Sequence, residues 1–338
     1  MPSQVAILKH TSKILKNNPL NDPHVRDVVV YLPPSYERSD KNFPVVYLIS
    51  GFTGYGIMNM NISAYSENIQ MRLDRLIRTK KISEMIVVMP DCFTKYGGSQ
   101  YVNSAATGKY EDYMVNEIVP FIDDNFRTIQ KPNARCIIGK SSGGYGAMWL
   151  AMRHPNVFGL MVTHSGDTAF EYCYAKDFPD FVIQIEKYGK GHKGVENFIK
   201  TQLGTNQPKP KDFHNILNVI GMASCYSPNS KRKEYNFDLP FDINTGEIIP
   251  EIWNKWLKFD PVTQVSKYKA NLKKLKLIFV DCGRRDEFNL HAGARIYCDK
   301  LKQNGIKYIH QEFNDGHMNI QYRYDTSFQF ISKNFSYK

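Results

Sequence analysis

Seven short runs of apolar and β-branched residues, at 28–32, 45–49, 85–89, 136–138, 160–162, 277–280 and 309–313, alternate with longer helix-like stretches at 66–78, 113–124, 144–153 and 292–303. Strands separated by helices in sequence pair best in parallel, because each crossover helix then covers one face of the sheet. The pattern predicts an α/β fold: a mainly parallel, twisted sheet with helices on both faces. At 338 residues and 42% hydrophobic content, the chain is long and apolar enough to bury such a core.

The alternation stops once. From about 170 to 261 the chain turns polar and irregular, with Pro208-Lys209-Pro210-Lys211 and Ser227-Pro228-Asn229-Ser230, yet it holds Trp253 and Trp256. This reads as a cap- or lid-like insertion over one end of the sheet, with a loose loop inside it. Residues 1–338 are expected to form a single domain carrying that insertion.

The stretch 134–147, A-R-C-I-I-G-K-S-S-G-G-Y-G-A, fits two different motifs. Gly139-Lys140-Ser141 is the end of a phosphate-binding loop, whereas Gly139-Lys140-Ser141-Ser142-Gly143 is the G-x-S-x-G of a nucleophile elbow. A phosphate loop needs a glycine where Ala134 stands, and a flexible backbone where Cys136-Ile137-Ile138 reads as a strand. An elbow needs a strand, a sharp turn with serine at its apex, and a helix with small residues that let it pass close to the strand. Gly143, Gly144 and Gly146 meet that need.

The elbow has meaning only with an acid and then a histidine further along the chain. Asp286 follows the run at 277–280, and His317 follows the run at 309–313. Loops at the carboxyl ends of strands are where such sheets present reactive groups. The expected roles are Ser141 as nucleophile, His317 as general base and Asp286 as the acid that orients the imidazole. Glu287 and Asp281 compete for the acid's role. His164 also follows a strand but precedes the acid, so it reads as a pocket-lining residue. An oxyanion hole needs two backbone donors. Ser142 N–H supplies one. The other is expected from Ser50-Gly51-Phe52-Thr53-Gly54, with Phe52 N–H the first choice and Thr53 the second. Thr53, Trp253 and Trp256 are further candidates for the pocket wall, although aromatic residues in an insertion also serve as its own core.

Together with Val30-Tyr31-Leu32-Pro33-Pro34-Ser35-Tyr36 and Gly98-Ser99-Gln100-Tyr101, these motifs resemble the esterase branch of the α/β hydrolases. That branch includes enterochelin esterases, the esterase D (S-formylglutathione hydrolase) group and antigen 85 mycolyltransferases. The resemblance implies a serine carboxylesterase whose triad is Ser141, Asp286 and His317. The chain departs from that pattern at Lys140, where histidine is usual, at Ser142, where methionine is common, and in the length of the 170–261 insertion.

The function expected is cleavage of small-molecule carboxylic esters through an acyl-enzyme, with no metal or organic cofactor. An acyltransferase using the same triad and a binding protein on a hydrolase scaffold are the alternatives. The net charge of +11 invites a nucleic-acid partner, but the basic residues are scattered, in clusters no longer than Lys231-Arg232-Lys233, and no nucleic-acid motif accompanies them. No apolar run reaches the length of a membrane span and no signal segment is evident at the start, so no membrane partner and a cytoplasmic location are expected. The six cysteines are widely spaced, which reads as buried or free thiols.

Overall fold

The computed structural model describes residues 2–205, 207–232 and 235–337; Lys233, the third residue of the basic cluster, lies outside them. Eight strands form the central sheet: β1 (Gln4–Thr11), β2 (Val25–Leu32), β3 (Val45–Ile49), β4 (Ile86–Pro90), β5 (Arg135–Lys140), β6 (Leu160–His164), β7 (Leu277–Gly283) and β8 (Ile309–Phe313). Their order across the sheet is β1-β2-β4-β3-β5-β6-β7-β8. From β4 to β8 every neighbouring pair is parallel, while β2 runs antiparallel to both β1 and β4. The mainly parallel sheet expected from the alternation is present, and β1 is an addition to it. As an edge strand β1 has one neighbour and is half exposed along its length, so its residues lack the apolar run that marks the inner strands.

Side chains on successive strand positions point to opposite faces, and the core divides accordingly. Val28, Val30, Val45, Tyr47, Ile49 and Ile137 belong to one buried cluster. Val29, Tyr31, Val46, Leu48, Ile138 and Val162 belong to another. Helices cover both: α1 (Ile69–Arg78) and α8 (Tyr324–Asn334) place Leu73, Leu76, Phe328 and Ile331 in the second cluster, and α2 (Ser142–Arg153) and α7 (Leu290–Gln303) contribute to the first. Helix α1 starts later than the 66–78 pattern suggests, because Asn68 caps it by accepting from Met71 N–H at 2.9 Å. All six cysteines are unpaired and buried. Among the described residues no helix is long and apolar enough to cross a membrane.

The segment between β6 and β7 corrects the irregular reading of 170–261. It holds α3 (Phe178–Ile185), α4 (His192–Gln202), α5 (Phe213–Tyr226) and α6 (Pro250–Leu257). Helix α5 is buried almost all round, through Ile216, Leu217, Val219, Ile220, Met222 and Ala223. A helix without a polar face shows no amphipathic period, which hides it from periodicity. Pro208-Lys209-Pro210-Lys211 is the exposed connection between α4 and α5.

Strand β5 enters the turn into α2 at a spacing that only glycine permits. A Cβ on Gly139 would lie 2.3 Å from Gly143 C, and one on Gly143 would lie 2.4 Å from Ile49 O. Both obstacles are backbone and cannot rotate away. Gly139→Ala is therefore expected to lower unfolding stability by about 1–3 kcal/mol, read as a reduced urea midpoint with an unchanged slope. An unchanged midpoint would mean that the turn relaxes freely.

Candidate active site

The register of the sheet brings the carboxyl ends of its central strands into line. Ile49 pairs with Gly139, Lys140 with His164, His164 with Asp281, and Gly283 with Phe313. The loops that follow these residues carry Phe52, Ser141, Asp167, Asp286 and His317. Side chains far apart in the chain therefore meet at one end of the sheet.

Ser141 occupies the turn between β5 and α2 with φ 57° and ψ −130°. A side chain in this region is strained by about 1–3 kcal/mol, and the surroundings must hold it there. Ser141 N–H donates to His164 O at 3.0 Å and Ser141 O accepts from Tyr145 N–H at 2.9 Å. The far end of α2 is anchored by buried Glu111, which accepts from Trp149 Nε1 at 3.0 Å and Arg153 Nε at 2.7 Å.

His317 Nδ1 lies 2.8 Å from Asp286 Oδ2, and both side chains are almost completely buried. The other Asp286 oxygen accepts from Phe288 N–H at 3.0 Å. Burial pushes the Asp286 carboxyl up, but the bond and charge of His317, with the Phe288 amide, outweigh it and leave the group below its ordinary value. Asp286 is thus held as a carboxylate against the imidazole.

The competing acids have other partners. Asp281, fully buried, is paired with Arg323 through Nε at 2.7 Å and Nη2 at 2.6 Å. Glu287 accepts from the His317 backbone N–H at 2.7 Å, and a Cβ on Gly316 would meet its carboxylate at 2.5 Å. Glu287 braces the loop that carries the imidazole, so it is more than a solvated loop charge.

A cavity of about 440 Å³ opens over this end of the sheet, and Ser141, Ser142, His317, Phe52 and Thr53 all line it. The Ser141 hydroxyl has no hydrogen bond among the described residues; in unliganded sites such a contact often closes only around substrate. Ser142 is the first residue of α2, so its N–H has no acceptor within the helix. Phe52 N–H likewise has no acceptor among the described residues, whereas Thr53 N–H donates to Gly97 O at 2.6 Å. Phe52 and Ser142 thus keep backbone donors without an acceptor among the described residues, and Thr53 contributes only wall. Tyr101 Oη, donating to Ser50 O at 2.6 Å, ties the Phe52 loop in place.

Three candidate wall residues lie elsewhere. His164 ends β6 on the face opposite Thr163; its Nε2 is 3.0 Å from Ser327 Oγ and its ring packs on Tyr324, beneath the sheet rather than in the cavity. Trp253 and Trp256 project from α6 into an aromatic cluster with Phe178, Tyr174 and Tyr226, and Trp256 Nε1 donates to Ser227 Oγ at 2.8 Å. They form the insertion's core. The insertion's wall residues are Cys173, Tyr174, His214 and Asn218 instead.

Asp167 and Gln100 escape a sequence reading. Buried Asp167 accepts from Ser142 Oγ at 2.9 Å, Tyr174 Oη at 2.8 Å and Gln100 Nε2 at 3.3 Å. Burial raises its pKa against these donors. Through Ser142 Oγ this carboxyl fixes a residue that lines the cavity. The available signal was Ser165-Gly166-Asp167 directly after a strand, but a lone aspartate in a loop reads as solvated.

Among solved structures, a ferulic acid esterase is similar over 99% of both chains at a TM-score of 0.63 and 20% identity. An S-formylglutathione hydrolase of Staphylococcus aureus is similar over 98% of this chain and 100% of its own at 0.60 and 15%. The Shigella flexneri enterobactin esterase is similar over 98% of this chain and 60% of its own at 0.53 and 13%. At these identities the likeness is one of fold. Among curated proteins, the uncharacterized protein YbbA of Bacillus subtilis is 25% identical over 164 residues, 43% of this chain and 58% of its own. Esterase Rv1288 of Mycobacterium tuberculosis is 30% identical over 140 residues, 41% of this chain and 28% of its own. The chain thus spans well under two thirds of the curated relatives it matches. A family match that runs from residue 23 to residue 323, on a sheet of this order, makes the chain a member of the Putative esterase family, with an α/β-hydrolase fold.

Proposed function

We propose that the protein is a serine hydrolase that cleaves carboxylic esters through an acyl-enzyme. The observation that carries this reading is the 2.8 Å bond between His317 Nδ1 and ionised Asp286, in one cavity with a serine held at a strained turn and two unpaired amides. Binding alone requires none of these to coincide.

In this mechanism His317 Nε2 takes the Ser141 hydroxyl proton as Oγ bonds to the ester carbonyl carbon. The carbonyl electron pair moves onto oxygen, which the Phe52 and Ser142 amides receive. As the oxygen pair returns, the bond to the alcohol oxygen breaks and His317 hands it the proton. Water then repeats the sequence on the acyl-enzyme, releasing the acid and restoring Ser141. Asp286 holds the imidazole with Nδ1 protonated and stabilises the imidazolium formed in each half. The cavity volume, about 440 Å³, falls within the range usual for small-molecule sites.

The test is labelling with a fluorophosphonate, which phosphonylates an activated serine and expels fluoride. One adduct per chain is expected, located by peptide mass spectrometry on Ser141, together with turnover of p-nitrophenyl butyrate. Folded protein that takes no label and shows no turnover defeats the reading.

A further inference from the structure

Lys140 stands immediately before the proposed nucleophile and is, among the described residues, the only lysine or arginine that lines the cavity. The fold does not account for it. Its side chain is half-buried, and it makes no hydrogen bond or ion pair among the described residues. Burial lowers its pKa, while the charges of Asp286 and Glu287 pull it back up. Those carboxylates have partners of their own, His317 Nδ1 and the His317 amide. An ammonium withdrawn from water without a dedicated counter-charge is costly, and a ligand that brings an anion removes that cost.

The position also has a direction. Strand alternation puts Lys140 on the face of Ile138 and of its register partner His164, the side covered by α8. It shares the cavity wall with His317, Met318, Gln321 and Tyr324, and in the mechanism above His317 protonates the departing alcohol. The Phe52 and Ser142 amides that receive the carbonyl oxygen stand apart, after β3 and at the start of α2. The amine therefore faces the half of the substrate that leaves.

We propose that Lys140 is a specificity-determining residue that binds a carboxylate on the alcohol portion of the substrate, so that the preferred substrates are esters of hydroxy acids. This inference rests on the esterase reading and adds to it the class of leaving group. Lysine supplies a single compact charge with rotatable donors, which suits a carboxylate whose approach is set by the ester bond rather than by a rigid fork.

The experiment compares kcat/KM on para-acetoxybenzoate with that on para-acetoxybenzamide, which differ in the anion and little in shape. The wild-type protein is expected to prefer the benzoate. In Lys140→Gln and in Lys140→Met the benzoate-to-benzamide ratio is expected to fall about tenfold or more, with Lys140→Arg restoring part of it. Raised salt should narrow the wild-type ratio. Both substitutions shifting the two esters equally would mean that the amine acts only on the triad, and the proposal falls. Monophenyl succinate showing the Lys140-dependent preference instead would place the anion on the acyl side and overturn the assignment. Failure of the esterase reading is distinguishable, because neither ester would then be turned over and no fluorophosphonate label would form.

Discussion

Asp286→Asn is expected to depress kcat by up to ~10⁴ with little change in KM, a loss of the size seen when a triad aspartate is made neutral. The amide is nearly the shape of the carboxylate, so the loop from Asp286 to Leu290, with its Phe288 N–H bond at 3.0 Å, has no steric reason to move. What changes is the imidazole. A carboxylate 2.8 Å from Nδ1 accepts a hydrogen bond from Nδ1–H, which keeps the proton there and leaves Nε2 bare to act as base. An asparagine can present its NH₂ to Nδ1 and fix the other tautomer, and it brings no charge to balance the imidazolium. Glu287→Gln is the internal comparison. Its carboxylate braces the loop by accepting the His317 amide at 2.7 Å. Glutamine still accepts that N–H through a neutral bond roughly half as strong, so a loss below about tenfold is expected. Both variants are to be assayed on one ester at neutral pH. A dead glutamine variant beside an active asparagine variant would exchange the two residues' roles.

Ser141→Ala is expected to lower turnover of a p-nitrophenyl ester by roughly 10³-fold or more, with the residue of activity coming from the oxyanion amides and binding. Stability should stay within about 0.5 kcal/mol, because the lost hydroxyl has no hydrogen-bond partner among the described residues. Ser141→Gly separates strain from chemistry. At φ 57° and ψ −130° a glycine relieves the Cβ strain, at the cost of a more flexible unfolded chain. The net expectation is an inactive protein stabilised by about 1 kcal/mol. Urea midpoints of the two variants read this directly. A glycine variant less stable than wild type would show that the turn is not strained by its side chain.

The inner strands were legible in the sequence because a strand buried on both faces must be a continuous apolar run, and β3 matches its run to the residue. Edge strand β1 and helix α5 were not, for opposite reasons. One is half exposed and the other buried nearly all round, so neither shows the contrast between faces on which periodicity depends. The tight turn from β5 into α2 was legible because its glycines answer a local demand: Gly139 and Gly143 touch at a distance no Cβ survives. The order Ser141, Asp286, His317 follows from topology, since each comes after the carboxyl end of a strand.

Which of the nearby groups share the cavity was a different kind of question. Asp281 and Asp286 are five residues apart on one strand-loop unit, and sequence alone cannot tell which one turns to the imidazole. Arg323, from a distant part of the chain, pairs with Asp281 at 2.6 Å, and His317 takes Asp286. His164 looked like a wall residue until the alternation of β6 set it against Ser327 and Tyr324 on the far face. Asp167 carried no distinguishing signal of its own in the sequence, and it is Ser142, Tyr174 and Gln100 that converge on it in the structure. Local backbone demands and strand order are properties of neighbouring residues, so the sequence by itself determined the α/β sheet, the tight strand-to-helix turn at Ser141 and the order of the candidate triad. Partnership between polar side chains depends on segments that meet only when the sheet closes, so the tertiary structure alone decided which acid pairs with His317 and which residues line the cavity.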